Sequence, residues 1–327
     1  MQNPYQTDEV IKLENVTKRY GSHTALSDVS LTIQPGVSGL LGPNGCGKST
    51  MIKSVLGLLK IQKGNASVLG YKLPNDLRHI RDTVGYLPED DCFIAGLSGI
   101  ESVRYMARMS GFEPTEALRR SHEVMDFADI GQERYRNVET YSTGMRQKLK
   151  FAQSIVHDPQ LLICDEPTSG LDPEQRTSML RKLKNLAAKH GKSILICTHI
   201  LHDVRAVCDQ VIIMSRGQIR LVDSLENLSR PSKVGTVVHL DRRLEGSAEN
   251  PFPDANELIN ALSRHQVDSH LMQRGQVWVD NVAPEESQLI WQVANEAGLY
   301  IDQLSAAKNS LEEIFFNTVK EAESAAS

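Results

Sequence analysis

From residue 10 to 34 apolar and polar positions alternate, as in VIKLENVTKRYG and TALSDVSLTI. A period of two sends one set of side chains to a buried face and the other to water. These residues are therefore predicted as strands of a half-buried antiparallel sheet. The alternation then stops. Residues 37–41, 161–164 and 193–197 are short apolar runs, the composition of strands covered on both faces in a parallel sheet. Helical periodicity separates them, as over 176–188. Strands that alternate with helices predict an α/β core built on a mostly parallel sheet.

Between about residues 90 and 154 no strand pattern occurs. Ser98 and Glu101 form an S-x-x-E capping box that opens an amphipathic helix through Met109. Residues 116–127 read as a second helix, and a third follows the turn YSTGM at 141–145. The segment is predicted as a helical insertion in the core. Residues 211–222, VIIMSRGQIRLV, read as two strands around Arg216-Gly217, a hairpin.

At 227–234, NLSRPSKV, the composition turns polar and carries a proline, Pro231. A domain boundary is placed there, between a first domain over 8–230 and a second over 235–321. The second reads strand 235–241, helix 255–264, strand 266–273, strand 276–281, helix 284–297 and strand 299–304, with a closing helix from Asn309 to Glu321. Arg274-Gly275 supplies the turn between its middle strands. This βαββαβ order is ferredoxin-like, and Trp278 and Trp291 fit core positions in it.

Composition adds mainly exclusions. Of the 327 residues 40% are hydrophobic and 24% charged, with a net charge of −5 spread along the chain. That balance is globular, and no nucleic-acid partner is expected. No segment approaches the ~20 consecutive apolar residues of a membrane helix, and MQNPYQTDEV has no basic run before an apolar core, so no export signal is expected. The cysteines 46, 92, 164, 197 and 208 form no C-x-x-C pair and read as reduced thiols.

Candidate chemistry concentrates at two places. Gly42-Pro43-Asn44-Gly45-Cys46-Gly47-Lys48-Ser49, followed by Thr50, matches G-x-x-x-x-G-K-[ST]. It follows an apolar strand and opens a helix, which SVLGLLK is read to continue, the setting in which this loop cradles phosphate. Its glycines let backbone N–H groups turn inward, and the helix N-terminus adds positive charge. Lys48 suits the β- and γ-phosphates and the Ser49 hydroxyl suits Mg²⁺. Cys46 reads as a small residue at a free loop position, in preference to a redox switch. The second place is Asp165-Glu166, at the end of an apolar run. Adjacent side chains on a strand point to opposite faces, so the two acids can take different tasks. Asp165 suits the surroundings of Mg²⁺, and Glu166 suits the general base that polarises an attacking water.

The stretch from Tyr141 to Asp172, YSTGMRQKLKFAQSIVHDPQLLICDEPTSGLD, resembles in order and spacing the signature motif, Walker B motif and D-loop of ATP-binding cassette (ABC) ATPases. The resemblance covers roughly residues 10–225. It implies a P-loop NTPase fold of the ABC type, with a mostly parallel core, an antiparallel β subdomain and a helical signature subdomain, to which the small α+β domain is appended. It implies ATP and Mg²⁺ as ligands and roles for further residues. Ser142 and Gly144 would hydrogen-bond the γ-phosphate held by a partner subunit, and Asp172 would couple the two subunits' sites. His199, following the run SILICT, is similar to the switch histidine that contacts the γ-phosphate, and Tyr20 to the aromatic that stacks on adenine. Glu89 stands where most members have the Q-loop glutamine that joins Mg²⁺ to the transmembrane partner, and it is expected to keep that role. The signature departs from LSGGQ at Tyr141, Thr143 and Met145.

By the same resemblance two copies, or one copy with a similar ATPase subunit, pair head to tail and act on a separate transmembrane permease at the cytoplasmic face of the membrane. Glu89, the YSTGM variant and the ending Ser310-Leu311-Glu312-Glu313-Ile314-Phe315 resemble ATPases of the ABC-2 class of exporters. The ATPase of an importer, and a soluble ABC switch protein with no membrane role, are the alternatives.

Overall fold

A computed structural model describes residues 9–229, 235–240, 252–272, 275–283, 287–306 and 310–324. The contacts divide the chain into two compact units, Met1–Leu225 with Phe315–Ser327, and Glu226–Ile314.

The first unit opens with β1 (Ile11–Tyr20) and β2 (His23–Ile33), which pair antiparallel as the alternation predicts. Their inward positions Ile11, Leu13, Val16, Leu26, Val29 and Leu31 are buried. Next come β3 (Val37–Leu41), α1 (Lys48–Val55), β4 (Lys63–Val68), β5 (Tyr71–Lys72), α2 (Leu77–Thr83) and β6 (Val84–Leu87). The antiparallel sheet runs β2-β1-β4-β5. The helical segment follows as α3 (Gly99–Met109), α4 (Pro114–Phe127) and α5 (Thr143–Ile155). At the start of α3 the Glu101 carboxylate accepts from the Ser98 N–H at 2.8 Å and its hydroxyl at 2.6 Å, closing the capping box. Then come β7 (Leu161–Asp165), α6 (Pro173–His190), β8 (Ser193–Cys197), α7 (Leu201–Val207), β9 (Gln210–Ser215) and β10 (Gln218–Ser224).

The larger sheet runs β10-β9-β3-β8-β7-β6. Its pairs β3–β9, β3–β8, β8–β7 and β7–β6 are parallel, and only the β9–β10 hairpin is antiparallel. Every residue of β3, β7 and β8 is buried, as expected of strands covered on both faces. The mixed α/β architecture is the predicted one. One expectation fails here. The helix after Lys48 ends at Val55 and does not run on through SVLGLLK, because the Leu58 and Leu59 N–H groups both turn back to the Lys53 carbonyl as the chain reverses at Gly57, φ 65°.

Helix α8 (Leu225–Ser229) leads out of this unit. The second contains β11 (Gly235–Leu240), α9 (Pro253–Arg264), β12 (Ser269–Leu271), β13 (Val277–Asp280), α10 (Gln288–Glu296) and β14 (Ile301–Ala306), and α11 (Leu311–Ser324) begins in it. Its antiparallel sheet runs β12-β13-β11-β14, the strand order of a ferredoxin-like βαββαβ fold. Val238, Val277 and Val279 of the sheet pack with Leu258 and Leu262 of α9 and Ile290 and Val293 of α10. Trp291 is not a core residue: it stands on the outer face of α10 at 48% exposure, one position from buried Ile290. Trp278 is half-buried, its ring against Gly235 and its Nε1–H donating to Asp280 at 3.1 Å. Pro231, Arg274 and Asn309 lie outside the described residues.

Candidate active site

In a parallel sheet all C-terminal strand ends share one edge, where open α/β folds bind their ligands. A cleft of about 500 Å³ lies at that edge. The loop from β3 into α1 contributes Asn44, Gly45, Gly47, Lys48, Ser49 and Thr50. The chain after β6 brings Glu89, β7 brings Asp165 and Glu166, and the segment after β8 brings His199. Tyr20, at the end of β1, forms another wall with His23 and Ala25 of β2. Tyr20 is 47% exposed, with the Lys18 ammonium 5.2 Å from its ring centre.

Lys48 opens α1 and is buried. Its Nζ donates to the carbonyls of Gly42 at 2.7 Å and Pro43 at 3.1 Å, which ties those two residues into the loop. Cys46 does not sit at a free position. It is buried, its Sγ fills the space a Cβ on Gly42 would need, and its carbonyl accepts from Gly217 of the β9–β10 turn at 2.8 Å. Burial pushes the thiol above its ordinary range, so Cys46 packs the loop and is a poor redox nucleophile.

Asp165 is the last residue of β7, opposite Cys197 of β8. Burial pushes its carboxyl up, and a hydrogen bond from the Cys197 thiol acts the other way. Glu166 lies just past the strand at φ 50°. Strand alternation therefore does not separate the two acids; a left-handed backbone turn does. That conformation costs a non-glycine residue about 1–2 kcal/mol, and neighbours on every side hold it. The Glu166 N–H donates to the Cys197 carbonyl at 2.8 Å, and its own carbonyl accepts from the Gln147 amide at 3.1 Å. Its carboxylate accepts from the Thr198 hydroxyl at 3.0 Å and the His199 N–H at 3.1 Å, with the His199 Nδ1 2.8 Å from Oε1.

The oxygen donors of Ser49, Glu89 and Asp165 line this one cleft. Among the described residues no cluster of three His, Cys, Asp or Glu is arranged to hold a metal unaided. Such a donor set, two carboxylates and a hydroxyl, fits Mg²⁺, which binds through one or two carboxylates and fills its remaining positions largely with water and phosphate.

Ser142, Gly144 and Asp172 do not line the cleft. They form a second group at two neighbouring helix starts. The Ser142 hydroxyl caps α5 by accepting from the Met145 N–H at 3.3 Å, and Asp172 caps α6 through the Gln175 N–H at 2.8 Å. The Gln175 side chain lies against Gly144, and Thr143 packs against Gly170, so the two turns support each other.

Five further residues bear on these groups: His23, Gln147, Lys150, Thr198 and Asp203. His23 and Thr198 carry a signal, since each neighbours a residue picked out by its motif. The others are polar residues that a helical wheel cannot distinguish from solvated ones. Asp203 of α7 is fully buried, accepting from the Thr168 hydroxyl at 2.5 Å and the Arg176 Nε at 2.6 Å. Removing one member of a buried ion pair leaves the other charge unpaired, at a cost of about 3–5 kcal/mol. Arg176 keeps 29% exposure, so Asp203→Ala is expected to cost about 3 kcal/mol, the lower end. In thermal denaturation that lowers the midpoint by roughly 5–10 °C; a change under 2 °C would mean the network holds little.

A family model described as ABC transporter matches residues 26–169. The chain is 35% identical over 227 residues, 69% of its length and 73% of the relative's, to the uncharacterized ABC transporter ATP-binding protein YdbJ of Bacillus subtilis (strain 168). It is 34% identical over 210 residues, 64% of its length and 69% of the relative's, to the Nod factor export ATP-binding protein I of Cupriavidus metallidurans. Among solved structures, a dimeric bacterial ABC transporter cassette matches with a TM-score of 0.62 and 26% identity, over 66% of this chain and 98% of that one. With the cleft and the capped helix starts described above, this degree of likeness means that the chain belongs to the ATP-binding proteins of ABC transporters.

Proposed function

We propose that this chain is the ATP-hydrolysing subunit of an exporter, that two copies close over two ATP molecules, and that closure drives a separate transmembrane permease. The observation that carries the reading is the separation of two groups. Lys48, Ser49, Glu89, Asp165, Glu166 and His199 line one cleft, while Ser142 and Gly144 lie outside it at the start of α5. A cleft that holds one nucleotide and a helix start that serves another fit a head-to-tail dimer. Pairing with a similar ATPase subunit would use the same geometry.

In this reading the N–H groups of residues 44–50 and the Lys48 ammonium bind the phosphates, and Tyr20 stacks on the base. Ser49 and Asp165 would hold Mg²⁺, with Glu89 lining the same cleft; the ion would neutralise charge on the phosphate oxygens. Glu166 takes the proton of the attacking water. Its carboxylate is already oriented by Thr198 and His199. With Nδ1 bonded to Glu166, Nε2 is the ring nitrogen left to face the γ-phosphate, and it donates to a phosphate oxygen when both ring nitrogens carry protons. From a second subunit, Ser142 and Gly144 bring a helix N-terminus to the same phosphate, and Asp172 beside them links that subunit's own site to the contact. Residues 8–230 carry this machinery and 235–321 form an accessory domain.

Among the described residues no helix is long and apolar enough to cross a membrane, so the membrane part is assigned to another chain. A groove between α2, β6 and α3, lined by Leu77, Arg78, Tyr86, Met106, Met109 and Phe112, is proposed to receive it. Met109 is 70% exposed there, and β6 leads directly to Glu89. The exporter reading draws on the Nod factor export relative, the YSTGM signature and Glu89. Detergent-solubilised membranes carrying the tagged chain are expected to yield it with a multi-span membrane protein. Met109→Asp should abolish that co-purification and leave ATP binding unchanged. Recovery of the unmodified chain with soluble partners alone would sink the transport reading.

A further inference from the structure

Helix α5 touches both loops that carry acids into the cleft. On its inner side Gln147 donates to the carbonyls of Glu166 at 3.1 Å and Pro167 at 2.8 Å. One turn further on, Lys150 reaches the loop after β6. Its side chain is only 4% exposed, and its Nζ donates to the carbonyls of Pro88 at 3.1 Å and Glu89 at 2.8 Å, with Asp91 Oδ1 at 3.8 Å. Arg146, one turn earlier on the same side, donates to Asp91 at 3.1 Å. Burial lowers the Lys150 pKa, and the surrounding acids act against that shift.

This arrangement is unusual in its electrostatics. The loop carries three consecutive acids, Glu89, Asp90 and Asp91, beside a cleft that already holds Asp165 and Glu166. The three loop acids are exposed, whereas Lys150 is buried behind them; a buried ammonium needs hydrogen-bond partners, and Lys150 finds them in the backbone of the loop. Its bonds go to backbone carbonyls, which leaves the Glu89 carboxylate uncommitted to it. The lysine therefore fixes where the carboxylate starts from without neutralising it by direct contact.

We propose that Lys150 is the positioning residue for Glu89: it holds the backbone of the acidic loop so that the Glu89 carboxylate is presented to the Mg²⁺–nucleotide complex, and it joins that loop to the helix that begins at Ser142 and Gly144. The inference rests on the reading of Glu89 given above. Lys150 touches neither nucleotide nor metal. Its removal takes the donor from two part-buried carbonyls, and the loop relaxes away from the cleft. Partners that orient a metal-binding group are worth about 10–100-fold in metal affinity.

The test uses the full-length chain and a slowly hydrolysed ATP analogue, with affinity measured by fluorescence in EDTA and across a Mg²⁺ titration. Lys150→Met is expected to need at least about tenfold more Mg²⁺ for half of the Mg²⁺-dependent gain in affinity, with affinity in EDTA unchanged. In a Glu89→Gln background the same substitution should shift the titration by less than about threefold, since the carboxylate it positions is gone. A general loss of structure would instead weaken binding in EDTA, or shift both backgrounds equally, and either result overturns the proposal. Should Lys150→Met not fold, Lys150→Gln takes its place; a folded Lys150→Gln chain with an unshifted titration overturns the proposal as well. If Glu89→Gln alone leaves Mg²⁺ dependence unchanged, the reading of Glu89 fails. If Glu89→Gln shifts the titration and Lys150→Met does not, only the present inference fails.

Discussion

Glu166→Gln is expected to lower ATP turnover by about 10²-fold or more, the usual scale for losing a general base, while ATP binding persists. The substitution preserves shape. The Gln amide oxygen can still accept from the His199 N–H or the Thr198 hydroxyl, both of which now bond the carboxylate. The backbone supports of Glu166 are the Cys197 carbonyl and the Gln147 amide, and neither involves the side chain. The left-handed turn at φ 50° is therefore retained, and only the proton acceptor is lost. Phosphate release measures the fall in turnover. Size exclusion with and without ATP measures its consequence, a nucleotide-bound dimer that no longer reopens. Glu166→Ala is the control, since it also frees Thr198 and His199 and should reduce ATP affinity where Gln does not. A Glu166→Gln chain that hydrolyses at the normal rate would remove Glu166 from the mechanism.

That a substitution so specific can be written down reflects which signals the sequence carries. Strands buried on both faces must be apolar throughout, so β3, β7 and β8 are legible as unbroken runs, and the loops at their ends are legible by motif. The ferredoxin-like order of the second unit could be read because its strands and helices alternate in period. Strand β4, KGNASV, offers no such signal: only its end is buried, and it pairs with β1 through the backbone. Strand β6 is four residues long, and its Gly85 lies beneath the Ser154 carbonyl, a close approach that shows only in three dimensions. The sequence over-extends α1 because LGLLK continues an apolar pattern past the point where the backbone turns. The aromatic character of Trp291 suggests burial, but its neighbour Ile290 occupies the core position. In the cleft, the side chains proposed to bond nucleotide sit in recognisable strings. Those that hold these strings in place, Gln147, Lys150 and Asp203, come from helices and bond to backbone or to side chains chosen by packing, so spacing says nothing about them.

Gly144→Asp is expected to abolish hydrolysis, and the loss should appear at the nucleotide held by the altered subunit's neighbour. The start of α5 presents the Ser142 hydroxyl and unpaired N–H groups with the positive end of the helix dipole, an arrangement suited to an anion. An aspartate there replaces attraction with repulsion of a phosphate. Losing preorganised donors of this kind costs about 10²–10³-fold in rate. The fold should tolerate the change. A Cβ at Gly144 would lie 2.4 Å from the Gln175 Oε1, but that is the far end of a flexible side chain that can swing aside. The decisive experiment places this substitution and Lys48→Ala in purified mixed dimers. With one substitution in each subunit, both faults fall in the same interfacial site and the other site stays complete, so about half of the ATP capacity should remain. With both substitutions in one subunit and none in its partner, each site carries one fault, and occlusion of ATP should vanish. If Ser142 and Gly144 instead acted on their own subunit's nucleotide, the pattern would reverse: one fault per site in the first arrangement, and one intact site in the second. Counting ATP trapped per dimer therefore decides which subunit's phosphate the α5 N-terminus serves.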